Sequence, residues 1–391
     1  MEVMEKKLTL ALPKRVDTNN AEQVARELNA AIAEGDAGKG IVLDADALEY
    51  ISSAGLRVLL ALKKSHADLT VVNVSRDVYD IFETTGFDQI LGVQKKKRVV
   101  SVEGCEVIGE GGCGTVYRID PETIIKVYRD ATEETLDEIE NEKNMAKLAL
   151  VSGIPTAISY DIVRVGDSYG AVFELLNAVT FNDMVIKRPE DLETIVRQFI
   201  AFVKLIHHTE IVDPAVPSAK KKFYRYLDNV RTILGEPLYE KLRGMVEKIR
   251  DSHKVVHGDL QMKNVMLVDG EPMLIDMDTL STGDFIFDLQ ALYVTYIAYS
   301  EDEPENPMNF LGISCETAHE IWEKIFAYYF EDGYPGGKET VLQKIQILAY
   351  IRFMSMIAVD KDADTPLSKL RIEHSRQKLD ALTKLYDDLN I

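Results

Sequence analysis

The loop HGDLQMKNVML at residues 257–267 has polar residues that could hold a proton acceptor and a metal ligand. Asp259 and Asn264 are five residues apart, both carry oxygen atoms that can act as ligands, and apolar runs flank the loop on both sides. Asp and Asn are also common turn residues, so the pattern equally suits an ordinary turn between two strands. The chemistry of this loop therefore has to be judged from other parts of the chain.

A glycine-rich segment precedes this loop by more than a hundred residues. Gly109, Gly111 and Gly114 form the pattern GxGxxG. A dinucleotide-binding turn with this pattern requires a helix directly after the third glycine. Residues 115–119 and 123–128 are instead rich in β-branched and aromatic side chains, which predicts two strands. Glycines in such a hairpin let backbone N–H groups approach phosphates closely.

Lys126 lies inside the second of these strands, where a lysine is costly unless it is paired. We expect it to contact a carboxylate and a phosphate. A helix is predicted to follow, with Asp130 as its cap. The candidate partners on that helix are Glu138, Glu140 and Glu142.

The order of these signals resembles the protein kinases: a glycine hairpin, a strand lysine, a His-x-Asp loop with a later Asn, and a hairpin ending in Asp. HGDLQMKN followed by LIDMD is most similar to the aminoglycoside phosphotransferase and choline kinase branch. The resemblance covers about residues 101–391. It implies an α+β bilobal fold, with a β-rich N-lobe at about 101–176 and a helical C-lobe at about 177–391. It also implies ATP and Mg²⁺ as cofactors.

The resemblance assigns roles to individual residues. Asp259 is implied to orient the acceptor hydroxyl and take its proton, Asn264 and Asp276 to bind Mg²⁺, and Glu142 to pair with Lys126. Glu174 and Leu176 lie in a predicted adenine-binding hinge, a segment that equally suits an ordinary strand end. The residues implied to contact the nucleotide are Gly109, Gly111, Gly112, Gly114, Val116, Lys126, Glu174 and Leu176.

Four further polar residues near the loop are expected to support it. His257 is interpreted as a structural hydrogen-bonding residue. Asp278 is interpreted as a neighbour of the metal site. Asp284 and Asp288 are expected to brace the catalytic loop or to cap a helix.

The spacing after Asp276 favours a small acceptor molecule. Gly258 stands where many protein kinases have an arginine that reads a phosphorylated activation loop. Only about a dozen residues separate Asp276 from a helix predicted over 288–299, which leaves little room for a peptide platform. Helical stretches around 191–208 and 218–250 can wall a pocket for a small hydroxylated substrate.

The first hundred residues alternate between strand-like and helix-like segments, which predicts an α/β unit. The predicted strands are 8–12, 40–44 and 69–74, and the predicted helices are 21–34, 55–64 and 78–84.

The corner YISSAGLRVLLALKK at residues 50–64 places Ser53 where a helix N-cap is expected. It resembles the phosphorylation site of the STAS (sulfate transporter and anti-sigma factor antagonist) family, in which a serine precedes Gly-Leu at a helix start. Most family members have Asp immediately before that serine, and here the residue is Ser52. The resemblance implies a mixed sheet with helices, Ser53 as a phosphorylation candidate, and an anti-sigma factor or another protein of a STAS pathway as partner.

Composition places limits on the cellular setting. The three cysteines form no CxxC pair, which fits a reducing cytoplasm. Neither a signal peptide nor an apolar run near the ~20 residues of a membrane span is recognised, so we expect no membrane partner. The net charge is −20, and residues 1–100 contribute almost none of it. Such a field disfavours nucleic acid and suits a cationic substrate or partner, while solubility accounts for most of the charge.

Two domains are therefore predicted, with a break at the QKKKR segment: residues 1–95 as the STAS domain and residues 96–391 as the kinase-like domain. Three functions compete. The first is an ATP-dependent phosphotransferase acting on a small alcohol, coupled to a regulatory STAS domain. The second is a protein serine kinase acting on its own or another STAS domain. The third is a non-catalytic, ATP-sensing switch.

Overall fold

The computed structural model describes residues 7–35, 40–110, 114–130 and 132–391. The chain divides into two compact units. The first comprises the residues up to Ser101 together with Val163–Asp167, and the second comprises Val102–Ile162 and Ser168–Ile391.

The first unit is an α/β fold around a four-stranded sheet in the order β1-β3-β5-β6. Its elements are β1 (Leu8–Ala11), β2 (Arg15–Val16), α1 (Ala21–Glu34), β3 (Ile41–Asp44), β4 (Tyr50–Ile51), α2 (Ser53–Ser65), β5 (Thr70–Val74), α3 (Arg76–Thr85), α4 (Asp88–Leu91) and β6 (Val93–Lys95). Every strand pair among these described elements is parallel. The mixed sheet that the resemblance implied is therefore not seen in residues 7–35 and 40–110, because helices connect the neighbouring strands of the sheet and return the chain in the same direction.

Apolar residues at helical spacing hold the helices of this unit onto the sheet. Val24, Leu28 and Ile32 of α1 are buried, as is Leu59 of α2. Gly55 permits α2 to approach β2 closely, since a Cβ at Gly55 would lie 2.5 Å from the main-chain oxygen of Val16 in β2. The predicted helix over 55–64 is thus present, and it begins two residues earlier.

The cap of α2 differs from the prediction. Ser52, not Ser53, is the N-cap residue, and its Oγ accepts from the Ala54 amide at 3.2 Å. Ser52 has the extended backbone that a cap requires (φ −97°, ψ 175°), whereas Ser53 is already the first helical residue. The prediction placed the cap one residue too late.

A five-stranded sheet in the order β10-β11-β9-β8-β7 forms the β-rich lobe of the kinase-like fold. Its elements and the accompanying helix are β7 (Glu106–Glu110), β8 (Gly114–Asp120), β9 (Thr123–Tyr128), α5 (Glu133–Val151), β10 (Asp161–Val165) and β11 (Ser168–Glu174). Strands β7, β8, β9 and β11 pair in antiparallel fashion. The predicted Asp130 cap of α5 is wrong: Thr132 caps the helix and accepts from the Thr135 amide at 3.1 Å, because the chain is still extended at Thr132.

The remaining residues form a mainly helical lobe around one large apolar core. Its elements are β12 (Ala178–Thr180), α6 (Phe181–Lys187), α7 (Leu192–His208), α8 (Ala219–Leu234), α9 (Glu236–Glu247), β13 (Val255–Val256), β14 (Val265–Val268), β15 (Glu271–Leu274), β16 (Ser281–Thr282), α10 (Ile286–Tyr293), α11 (Tyr299–Asp302), α12 (Asn306–Leu311), α13 (Cys315–Tyr329), α14 (Lys338–Val359) and α15 (Pro366–Leu382). By length and composition α14 is the one helix of the described chain that could cross a membrane, but 67% of its most apolar window is buried in this core.

Two predicted helical stretches differ in detail. The stretch over 218–250 is two helices, α8 and α9, because Gly235 between them has a positive φ of 76°. The helix expected from residue 288 begins at Ile286 and passes through a π-helical turn at Val294–Ala298 before α11.

Candidate active site

The loop between β13 and β14 brings Asp259 and Asn264 into direct contact. The side-chain amide of Asn264 donates to the main-chain oxygen of Asp259 at 2.9 Å and lies 3.4 Å from Asp259 Oδ2. Asn264 is buried. Since its amide nitrogen is engaged in this way, its amide oxygen is the atom left for another ligand.

The two carboxylate oxygens of Asp259 have different surroundings. Oδ1 receives a hydrogen bond from the Arg352 guanidinium at 2.6 Å, and the same guanidinium donates to the main-chain oxygen of Gly258. Oδ2 has only long contacts, from Gln261 at 3.3 Å and from Asn264. Charge-assisted hydrogen bonds of this length are strong, so Oδ1 is fixed and Oδ2 is the oxygen available to accept a proton.

A fully buried carboxylate, Asp288 of α10, braces the same loop. Its oxygens accept from the amides of His257 at 2.8 Å and Gly258 at 2.7 Å, and it pairs with His207 Nε2 at 3.0 Å. Burial disfavours the ionised carboxylate, but the hydrogen bonds and charge of His207 and the contacts with His257 outweigh it and lower the Asp288 pKa. Asp284 has the other expected role, since it accepts from the Ile286 amide at the start of α10.

His257 and Gly258 shape the loop through contacts with its backbone and with neighbouring backbone. The Nε2 of His257 donates to the Ile275 oxygen at 3.0 Å, while its Nδ1 accepts from the Asp259 amide at 3.3 Å. Gly258 has a φ of 85°, and a Cβ there would lie 2.7 Å from the Thr279 oxygen. An arginine at this position, as found in many protein kinases, is therefore excluded by the backbone conformation.

Lys126 of β9 is the centre of a group of three charged side chains. Its Nζ lies 3.0 Å from Asp276 Oδ1 and 3.7 Å from Glu142 Oε2. The hydroxyl of Tyr128 donates to Glu142 at 2.9 Å. Burial disfavours the Lys126 ammonium, but the negative charges of Glu142 and Asp276 outweigh it and raise the Lys126 pKa. Lys126 is therefore a fixed cation held between α5 and the hairpin that ends at Asp276.

Asp276 adopts a left-handed backbone conformation with φ 63°, which is rare for a residue other than glycine. Such strain persists where the surroundings over-determine it and is common at functional sites. The Asp276 side chain keeps 41% of its surface exposed. No group of three or more His, Cys, Asp and Glu side chains among the described residues could hold a metal ion. The amide oxygen of Asn264 and the carboxylate of Asp276 are hard donors of the kind that Mg²⁺ prefers, and these two residues would hold it.

Asp278 lies two residues beyond Asp276. Its side chain retains solvent-accessible surface although protein surrounds it on most sides. Desolvation, followed by the negative charges of Asp276 and Glu142, raises the Asp278 pKa to about 6. A bound cation would relieve the repulsion among the carboxylates of Asp276, Asp278 and Glu142.

The glycine hairpin, formed by β7 and β8, belongs to the same sheet as β9, the strand that carries Lys126. Gly109 lies in β7 opposite Val116 of β8, and Val116 in turn pairs with Lys126 of β9. A Cβ at Gly114 would lie 2.1 Å from the Val127 oxygen, so no larger residue fits there. Gly111 and Gly112, two of the predicted nucleotide-binding residues, lie outside the described residues.

The predicted hinge begins where β11 ends at Glu174. The Leu175 amide donates to the Glu122 oxygen at 2.7 Å and is therefore engaged. The next amide, that of Leu176, remains as the donor this segment can offer to a ligand.

Three residues beside the catalytic loop were not found from sequence. Arg352 lies in α14 and is buried, while Lys222 and Tyr226 lie in α8. The one available signal was an arginine inside the apolar run AYIRFMSMIA, since a buried arginine requires a partner as Lys126 does.

Ser53 has a free hydroxyl at the start of α2. Its side chain is exposed, and its Oγ makes no hydrogen bond with the described residues, whereas Ser52 Oγ is engaged in the helix cap. The hydroxyl of Ser53 is thus free to meet another molecule, whereas that of Ser52 is engaged in the helix cap.

Two family models match the two parts of the chain. Residues 105–311 match the model of the phosphotransferase enzyme family, APH, and residues 1–100 match that of the STAS domain. Because the first match covers more than half of the chain, this protein belongs to the phosphotransferase enzyme family and carries an N-terminal STAS domain.

Individual proteins similar to this chain include one curated relative and two solved structures. BtrV of Bordetella bronchiseptica, assigned as an anti-sigma factor antagonist, is 36% identical over 90 residues, which cover 22% of this chain and 76% of BtrV. The gentamicin complex of APH(2")-IIa has a TM-score of 0.47 at 13% identity and covers 77% of this chain and 95% of that chain. A choline/ethanolamine kinase family protein from Mesorhizobium loti has a TM-score of 0.44 at 15% identity, with coverages of 72% and 92%. Since both TM-scores lie below 0.5, the family assignment rests on the sequence matches.

Proposed function

We propose that this protein transfers the γ-phosphoryl group of ATP to the hydroxyl of a small molecule. The observation that carries the proposal is a link between two groups of residues: the Ile275 amide, next to Asp276, donates to the Asn264 main-chain oxygen at 3.0 Å. Asp259 contacts Asn264 in the catalytic loop, and Lys126 lies within ion-pair distance of both Glu142 and Asp276. A non-catalytic ATP sensor would not require the proton-accepting carboxylate of Asp259.

In the proposed reaction the acceptor oxygen attacks the γ-phosphorus. The bond from that phosphorus to the β–γ bridging oxygen breaks, ADP leaves, and the hydroxyl proton passes to Asp259 Oδ2. Arg352 holds the other oxygen of Asp259 and so keeps Oδ2 oriented. Mg²⁺ held by Asn264 and Asp276 would neutralise charge on the phosphates.

The nucleotide is proposed to lie between the glycine hairpin and the hinge. Gly109, Gly114 and Val116 would cover the phosphates, Lys126 would contact them, and the segment from Glu174 to Leu176 would hold the adenine. The hydrogen bond between the amide of Leu175 and Glu122 leaves the Leu176 amide as the donor to the base.

A small acceptor is favoured by the short segment after the metal-ligand hairpin. Helix α10 begins at Ile286, ten residues after Asp276. The helices α8 and α14 lie beside the catalytic loop, where Arg352 of α14 contacts Asp259. These helices are the proposed walls of the acceptor pocket. An ATP-consuming activity also suggests a cytoplasmic protein.

The test is an ADP-release screen with MgATP against sugars, amino alcohols, aminoglycosides and carboxylic or phosphorylated alcohols. We expect turnover of at least one alcohol, and we expect Asp259→Asn to lower kcat about 10²–10⁴-fold, the usual contribution of a positioned base. Binding of a non-hydrolysable ATP analogue should be retained by that variant. Equal activity of Asp259→Asn and wild type would contradict the proposal.

We further propose that the STAS domain, taken as residues 1–95, is regulatory and binds an anti-sigma factor or another protein of a STAS pathway. The similarity to BtrV supports this choice of partner. The exposed, unbonded hydroxyl of Ser53 is the observation that favours phosphorylation in this domain. A phosphate there adds about −1.5 to −2 charges beside a helix N-terminus, which the helix tolerates and a docked partner would not.

Whether the kinase-like domain itself modifies Ser53 is tested by incubation with labelled ATP and mass spectrometry of residues 50–64. Phosphate on Ser53 that disappears in Asp259→Asn would support a protein kinase activity. An unmodified peptide together with turnover of a small alcohol would exclude it.

A further inference from the structure

Helix α8 has one cation, Lys222, beside the loop that contains Asp259, and a second, Arg225, further along the helix. Lys222 and Arg225 lie one helical turn apart, so their side chains share a face. Lys222 lines a cleft together with Tyr226 of the same helix and with Gly258 and Thr279 of the catalytic region. This cleft therefore opens beside the residue that precedes Asp259.

Among the described residues, neither of these cations has a carboxylate within ion-pair distance. Lys222 Nζ donates only to the main-chain oxygen of Leu280, at 3.3 Å, and neither residue makes an ion pair with any part of the chain that the structure describes. By contrast, the nearby Lys220 is held by Asp251 at 2.9 Å and by the Glu247 oxygen. A partly buried ammonium without a counter-ion is unfavourable and indicates an anion that arrives from outside.

The electrostatics of the cleft support a cation that is poised to bind. Burial lowers the Lys222 pKa to about 8, Asp278 partly offsets this, and Arg225 lowers it further. Most Lys222 side chains therefore still carry a proton at pH 7. An anionic group beside Lys222 would relieve both the desolvation and the repulsion from Arg225.

The charge of Asp259 does not cancel that of Lys222, because Asp259 is already paired with another cation, Arg352. Arg352 is 5% exposed, its guanidinium holds Asp259 Oδ1 at 2.6 Å, and its Nε has no partner among the described atoms. The charge of the catalytic carboxylate is thus balanced locally. Lys222 remains as the surplus charge in the cleft, and Arg225 lies one helical turn away at the exposed surface.

We propose that the acceptor carries a phosphate or carboxylate group, which Lys222 and Arg225 bind while its hydroxyl faces Asp259. This assignment deepens the phosphotransfer function proposed above and rests on it. It reverses the expectation of a cationic substrate drawn from the net charge of −20, because the charges within a few ångströms of the ligand outweigh a distant, screened field.

The test measures binding of inorganic phosphate to the full chain by calorimetry, with Mg²⁺ and a saturating non-hydrolysable ATP analogue, AMP-PNP, occupying the nucleotide site. We expect phosphate to bind the wild type in the millimolar range and Lys222→Gln or Arg225→Gln to weaken binding at least 5-fold. Lys221→Gln is the matched control, with the same charge change on the same helix outside the cleft, and it should bind as the wild type does. Unchanged or raised melting temperatures will show that the variants are folded.

Two outcomes would overturn the proposal: no phosphate binding to the AMP-PNP-loaded wild type, or equal affinity in wild type and Lys222→Gln. If phosphate binds only when AMP-PNP is absent, the cations serve the transferred phosphoryl group and the acceptor assignment fails. Failure of the phosphotransfer function is distinguishable, because AMP-PNP itself would then not bind.

In the ADP-release screen, glycerate and glycerol 3-phosphate should be preferred over glycerol and choline at least 10-fold, and Lys222→Gln should remove that preference.

Discussion

At the scale of single residues, two cations, Lys126 and Arg352, each contact a carboxylate of the site. Lys126 was found from sequence because a lysine in an apolar strand requires a partner, and the structure supplies Glu142 and Asp276. Arg352 obeys the same rule but escaped notice. Its partner Asp259 is far away in sequence and on another element, and no local pattern reports such a pairing.

Lys222 gives a residue-scale prediction about stability and pH. Its pKa is about 8 in the folded protein, lowered mainly by burial, against about 10.4 in the unfolded chain. Between these pH values the unfolded state binds more protons than the folded state. The loss of folding stability caused by the Lys222 ammonium is therefore full below pH 8 and disappears as the pH rises towards 10.4. We expect Lys222→Met to raise the free energy of unfolding at pH 7 by about 1–3 kcal/mol.

The measurement is urea unfolding of Lys222→Met and wild type at pH 7 and near pH 10.5. The increase in the free energy of unfolding that Lys222→Met produces should be smaller at the higher pH. Lys221 is an exposed lysine of the same helix, and Lys221→Met should leave the urea unfolding curve unchanged at both pH values. A loss of stability in Lys222→Met at pH 7 would show that its ammonium is satisfied within the fold.

At the scale of elements, the helices and strands were largely predictable and their ends were not. Helix α1 and strand β9 have the predicted boundaries because their apolar periodicity is regular. The caps of α2 and α5 were displaced by one and two residues, since adjacent residues Ser52 and Ser53, or Asp130 and Thr132, can all cap a helix. Which one does so depends on where the preceding chain leaves the sheet.

The cap of α2 leads to a prediction that separates the two serines. Ser52→Ala removes the side-chain hydrogen bond to the Ala54 amide and should destabilise the protein by about 1 kcal/mol. Ser53→Ala should change stability by less than about 0.5 kcal/mol, as exposed substitutions usually do. Thermal unfolding of both variants measures this, and a larger effect at Ser53 would contradict the assigned cap.

The catalytic loop gives a second prediction at this scale. Gly258 and Gly270 both have positive φ angles, 85° and 91°, but only at Gly258 would a Cβ meet the backbone, at 2.7 Å from the Thr279 oxygen. We expect Gly270→Ala to cost about 1 kcal/mol from backbone strain alone. Gly258→Ala should cost clearly more and also reduce turnover, because Asp259 follows directly.

Denaturant midpoints and kcat of the two glycine variants provide the comparison. Gly270, in the turn between β14 and β15, serves as the control for the left-handed backbone. Equal stability and equal activity of the two variants would mean that the contact with Thr279 does not constrain the loop.

At the scale of the whole molecule, two units with different chemistry share one chain. The order STAS domain then kinase-like domain was predicted from sequence and is confirmed by the family matches. The parallel arrangement of the described strands in the first unit was not predicted, and neither were the cations beside the acceptor cleft. Net charge describes the surface as a whole, whereas an acceptor meets the few side chains that line its pocket.

The central claim is that Lys126, Asn264 and Asp276 together hold a magnesium–nucleotide complex. Calorimetric titration of the full chain with AMP-PNP and Mg²⁺ tests this most directly. We expect one nucleotide per chain, with affinity reduced at least 10-fold by Asp276→Asn and by removal of Mg²⁺. Absence of nucleotide binding, or binding that neither Asp276→Asn nor Lys126→Met weakens, would contradict it.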